Sequence, residues 1–104
     1  MFKIDISTKN ISLDGPLRIF VEDKIGGLEK FLAGHSDISA RVEIGKPSQH
    51  HAKGPIFYAE VNLTVGGKLL RAEATHEDLR AAITKTKEEL QVQIKKLKEK
   101  RSNR

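Results

Sequence analysis

Two adjacent glycines, Gly66-Gly67, separate two runs in which apolar and polar residues alternate. Before them, Phe57, Ala59, Val61, Leu63 and Val65 fall on one side, and Tyr58, Glu60, Asn62 and Thr64 on the other. After them, Leu70, Ala72 and Ala74 resume the alternation. Period two marks strands with one face turned to a core. A Gly-Gly link accepts the positive φ that a tight hairpin turn needs. The segment therefore predicts an antiparallel hairpin, and the chain must cover the apolar face of a sheet.

The covering material is legible on both sides. Leu17, Phe20, Val21, Ile25, Leu28, Phe31 and Leu32 recur at helical spacing,. Asp14 can cap this segment, with Pro16 in the first turn, where a missing N–H costs nothing. Gly26-Gly27 weakens it by about 1 kcal/mol per glycine. The stripe continues through the pair, so the spacing predicts one helix over 15–32, stopped at Gly34. A second stripe, Leu79, Ala82, Ile83, Thr86, Leu90, Ile94 and Leu97, predicts a helix of about 25 residues, roughly 37 Å long. Thr75-His76-Glu77-Asp78 reads as its capping box. Two more alternating runs, Phe2-Ile4-Ile6 and Ile38-Ala40-Val42-Ile44, predict further strands,.

The element order is β-α-β-β-β-α, an α+β fold. Its simplest burial sets both helices on one face of a four-stranded sheet. The β-α-β start predicts a right-handed crossover with parallel strands. Lys3, Asp5, Arg41, Glu43, Tyr58, Glu60, Arg71 and Glu73 would then face water. The expected organisation is a single domain over 1–100 and a basic tail over 101–104.

Charge narrows the class of partner. Residues 1–84 hold eleven Lys/Arg and eleven Asp/Glu, whereas 85–104 hold eight against three, which is the whole net +5. Six of the last eleven residues are basic. The macrodipole accounts for one or two lysines at a helix C-terminus, not for six. The helix should outrun the sheet it covers, so this end projects and meets a polyanion, most simply nucleic acid. Leu97 is the last large apolar residue, too little for a helix lying in a membrane surface. The four Phe occupy core-type positions and only Tyr58 should show its ring, which favours phosphate and shape contacts over base stacking.

Other chemistries find little support. The chain has no cysteine, which fits a reducing, cytoplasmic setting,. It has no apolar run of membrane-spanning length and no signal-peptide pattern. His50 and His51 are adjacent, so they diverge, and no ligand set surrounds them. His35 and His76 read as structural. No phosphate-binding, nucleophile-elbow or zinc motif occurs, so neither enzyme activity, a small-molecule substrate, a cofactor nor a metal is expected.

Leu17-Arg18-x-Phe20-Val21, Lys24, Leu28-Glu29-Lys30, His76-Glu77-Asp78-Leu79, Ala81-Ala82-Ile83, Leu90, Gln93-Ile94 and Lys96 appear in this order over nearly the whole chain. In order and spacing the sequence resembles the bacterial ribosome hibernation-promoting factors, which include the short hibernation factor and the ribosome-associated inhibitor. The resemblance implies a fold similar to a double-stranded-RNA-binding domain. It implies a non-enzymatic factor on the small ribosomal subunit, lying in the channel of mRNA and of A- and P-site tRNA and stopping translation by exclusion. It further implies a short form without the C-terminal dimerisation domain of long members, hence a monomer when free.

Arg18, Lys24, Lys30 and Lys96 match the family's basic positions. The family usually has an aromatic residue at Arg80, Asp at Thr84, Lys at Glu89 and Arg at Val92, and often Lys at Gly27. Either the contact surface has shifted along the helix or docking is weaker. Arg80, Lys85, Lys87, Lys95, Lys98 and Lys100 join the candidate RNA-binding set from their charge alone. The rival readings are a general structured-RNA module and a protein-interaction module built on the basic helix.

Overall fold

The computed structural model describes residues 1–47 and 56–102. The elements are β1 (Lys3–Lys9), α1 (Gly15–Gly26), a 3-10 helix (Gly27–Phe31), β2 (Ile38–Gly45), β3 (Phe57–Val65), β4 (Lys68–His76) and α2 (Leu79–Ser102). The sheet runs β1-β2-β3-β4 in space. β1 and β2 are parallel, and the other two pairs are antiparallel. Gly66 and Gly67 turn the hairpin with φ of 53° and 87°. Both angles lie in the left-handed region that glycine enters without a Cβ clash.

Register decides which side chains meet. Ile6, Val42, Val61 and Ala72 stand opposite one another across all four strands. Ile4, Ala40, Leu63 and Leu70 form the next row. These rows face Val21, Ile25 and Leu28 from the first helical segment and Ile83, Leu90 and Ile94 from α2, all buried in one cluster. α2 packs on β4, where Ala72 and Ala74 are small. Among the described residues Thr86 is the one buried polar side chain, and its hydroxyl donates to the Ile83 carbonyl at 2.6 Å.

Three expectations need correction. The single helix over 15–32 is an α-helix that tightens to 3-10 geometry at Gly27. Gly26 lies against β1, where a Cβ would come within 2.7 Å of Met1 Sδ. The apolar stripe continues across the change of geometry, so periodicity alone could not reveal it. Thr75 does not cap α2, because β4 stays paired with β3 through His76. The cap is Asp78, whose carboxylate accepts from the Arg80 N–H at 3.0 Å. His76 therefore ends a strand and accepts from the Asp78 N–H through Nδ1 at 2.9 Å. Finally, none of the four Phe is fully buried; Phe2, Phe20 and Phe31 sit partly exposed against the core, and Phe57 is partly exposed at the start of β3.

Gly45 closes the β1–β2 edge. The Lys9 carbonyl, which accepts from the Lys46 N–H at 3.0 Å, lies where a Gly45 Cβ would stand. Gly45→Ala must push two backbones apart and is expected to cost about 2 kcal/mol. A urea unfolding midpoint that does not move would contradict this geometry.

Candidate nucleic-acid interface

The sheet's open face carries charge of both signs, much of it already paired. Among the described residues, ion pairs join Lys3 to Asp5 at 4.0 Å and Arg71 to both Glu60 and Glu73. Tyr58 donates its hydroxyl to Glu43 Oε2 at 2.6 Å. Glu43, Glu60 and Glu73 stand in direct register on three neighbouring strands. They line a cavity of about 570 Å³ with Lys9, Tyr58 and Thr75. No group of acidic, His or Cys side chains among the described residues could hold a metal ion. His50, His51 and Lys53 lie outside the described residues.

Burial and then the Glu43 hydrogen bond push the Tyr58 hydroxyl up to about 12. The neutral phenol is thus favoured in the fold. Its stabilising effect is complete below about 10, the unfolded value, and is lost as pH rises through 12,. Tyr58 is the only tyrosine and there is no tryptophan. Ultraviolet titration of tyrosinate should therefore give one midpoint near 12. Glu43→Gln should lower it.

The helix side differs. No carboxylate lies within 4.0 Å of Arg18, Lys24, Lys30, Arg80, Lys85, Lys87, Lys95, Lys96 or Lys100 among the described residues. These cations do not form one cluster. Lys24 Nζ and the Arg80 guanidinium converge on the Phe20 ring, 5.6 and 5.4 Å from its centroid. Lys87 lies beside Gly27, with Nζ 3.7 Å from the Cβ position of that glycine. Lys24, Arg80 and Lys87 thus share the cleft between α1 and α2. Lys30 rests on Phe31 at 5.3 Å. Arg18 is two residues from Phe20, about 200° around the helix, and so sits on the β1 side of α1. Lys85 lies on the other flank of α2, where it lines a cavity with Arg71, Thr75 and Glu89 at the edge of β4. Gln93 ties that flank to β4 by donating to the Arg71 carbonyl at 2.8 Å.

Lys95, Lys96, Lys98 and Lys100 follow on the last turns, all exposed. Leu97 is the last residue of α2 packed against the core, and the helix runs on to Ser102. The molecule is 51 Å long against 25 and 19 Å in its other dimensions. Sequence reasoning missed the aromatic seats of these cations. Half-burial of a Phe is invisible in a pattern that assigns Phe to the core, although Phe20 and Lys24 stand four apart, within reach on one helix face. It also missed Lys46, whose Nζ lies 5.6 Å from the Phe57 centroid. Among the described residues no helix is long and apolar enough to cross a membrane.

A mixed four-stranded sheet with two helices on one face, and a row of exposed cations along the second helix, defines the class of small α+β module to which this chain belongs. Solved structures share it. The N-terminal domain of Protein Y from Thermus thermophilus superposes with a TM-score of 0.74 and 25% identity, covering 93% of this chain and 97% of that one. A ribosomal subunit interface protein from Coxiella burnetii gives 0.75 at 16% identity over 93% of this chain and 98% of that chain, a likeness of fold alone.

The chain belongs to the Sigma 54 modulation protein / S30EA ribosomal protein family, whose pattern covers residues 4–102. It is similar to the ribosome hibernation promotion factor of Lactococcus lactis, with 34% identity over 98 residues, 94% of this chain and 50% of that protein. The factor of the same name from Deinococcus radiodurans is 29% identical over 93 residues, 89% of this chain and 47% of that protein. The chain spans about half the length of the curated relatives it matches.

Proposed function

We propose that the chain is a ribosome-associated hibernation factor. It docks on small-subunit rRNA through its helix side, fills the channel used by mRNA and by A- and P-site tRNA, and silences translation by excluding them. One observation carries this reading: much of the charge on the open sheet face is paired within it, whereas the helix cations Arg80, Lys85, Lys87 and Lys96 have no carboxylate within 4.0 Å among the described residues. Cations left unpaired on a rigid surface attract phosphate without first breaking an internal ion pair. The names of its relatives supply the ribosome as the polyanion.

Co-sedimentation with purified small subunits tests the reading. The chain should pellet with subunits at low salt and remain in the supernatant at high salt. An excess of long duplex RNA should compete poorly, whereas equal competition would favour a general RNA-binding module. Absence from the pellet at every salt concentration would end the proposal.

A further inference from the structure

The ridge of α2 that points to solvent is not its basic part. At about 100° per residue, the direction opposite the buried stripe of Ile83, Leu90 and Ile94 is occupied by Glu88, Val92, Lys95 and Glu99,. The other basic residues lie to either side. Arg80 and Lys87 fall on the flank facing α1, as their contacts with Phe20 and Gly27 require. Lys85 and Lys96 fall about 160° away, on the flank facing β4. There Lys85 borders a cavity of about 590 Å³ floored by the β4 edge, which Arg71, Glu73 and Glu89 also line. A helix with its side chains is roughly 10–12 Å across, so the two rows stand at least about 10 Å apart.

One phosphate backbone laid along the ridge would meet Glu88 and Glu99, with only Lys95 between them, before it reached either row. We propose that α2 inserts between two separate RNA backbone segments and contacts one with each flank. Arg80 and Lys87 hold the first segment, and Lys85 and Lys96 the second. The partner this fits is a folded RNA offering two facing backbones, as in a groove or a cleft between helices, rather than a single strand. The inference rests on the rRNA reading above and adds a geometry to it. The uncharged surface of Val92, 47% exposed, then lies at the floor of the gap between the segments.

The chain has no cysteine, so single cysteines can be placed cleanly. Lys85→Cys and Lys87→Cys, each carrying a short azidophenyl crosslinker, are bound to small subunits and irradiated, and the crosslinked nucleotides are mapped. The expected result is two sets of nucleotides from non-contiguous backbone segments. The same short run from both positions would overturn the proposal. So would crosslinks from one position only, while both variants still sediment with subunits. In parallel, Arg80→Gln/Lys87→Gln and Lys85→Gln/Lys96→Gln should each lower the salt slope of binding by roughly 1.4–1.8. A row whose neutralisation leaves the slope unchanged is not in contact, and the two-sided geometry fails. If the unmodified chain does not bind subunits at all, the rRNA reading itself is lost. If it binds but crosslinks to one segment, only this inference is lost.

Discussion

Raising monovalent salt from about 50 to about 200 mM is expected to weaken binding to small ribosomal subunits by about a thousand-fold. Each phosphate neutralised by a lysine or arginine releases condensed counterions, and log K falls with log salt by roughly 0.7–0.9 per phosphate. About six such contacts give a slope near 5, and a four-fold rise in salt then costs about three decades. The helix side offers enough cations, and none of those counted must first leave a carboxylate. Lys3→Gln, on the paired sheet face, should leave the slope where it was. A slope below about 2, read by filter binding or sedimentation, would mean that phosphate contacts do not drive docking. Surface cations that merely solvate a helix end would show no such dependence.

Leu90→Ala should destabilise the fold by about 3 kcal/mol. Leu90 is 0% exposed in the middle of α2, within the cluster that also holds Ile83 and Ile94. Removing its isobutyl group loses the transfer energy and leaves a cavity that a close-packed sheet face cannot fill. In a domain of this size that is a lowering of the melting temperature by roughly 12–24 °C. The urea midpoint should drop with little change in the slope of the transition. Val92→Ala, two residues on and about 200° around the same helix, should change stability by no more than about 0.5 kcal/mol. Equal effects at the two positions would mean that α2 is not docked on the sheet. The cation rows would then have no fixed spacing.

These two results probe different levels of one arrangement. Core packing orients α2, and its orientation sets which lysines reach outward to either side. Thr86 marks how tightly the two levels are joined. Its hydroxyl is buried on the core face yet satisfied within its own helix, so no side chain of the sheet is needed to pair it,.

Much of the scaffold was legible because its signals are local. Alternation in Phe57–Val65 and Lys68–His76, with two glycines between, defines a hairpin by side-chain period and turn chemistry alone. Asp14 and Pro16 mark the start of α1 by the same kind of local bonding, and the Leu17 N–H does donate to Asp14 Oδ1 at 2.8 Å. The boundary before α2 was not legible. Thr75 could have capped a helix, and only its pairing with Tyr58 across the hairpin keeps it in a strand. The close approach of Gly26 to Met1 and Ile4 was hidden for a related reason: it joins residues more than twenty apart in sequence.

The candidate site divides along the same line. Net charge, its concentration at the C-terminal end and the amphipathic stripe are sums over neighbouring residues, and the chain alone determined them. Which cations are unpaired depended on strand register, because Arg71 meets Glu60 only across β3 and β4. Which of them act together depended on helix packing, because Arg80 and Lys24 share the Phe20 ring from different helices. Charge is a property of composition and can be counted. Its neutralisation and grouping fall off within a few ångströms, and only a folded chain sets distances on that scale.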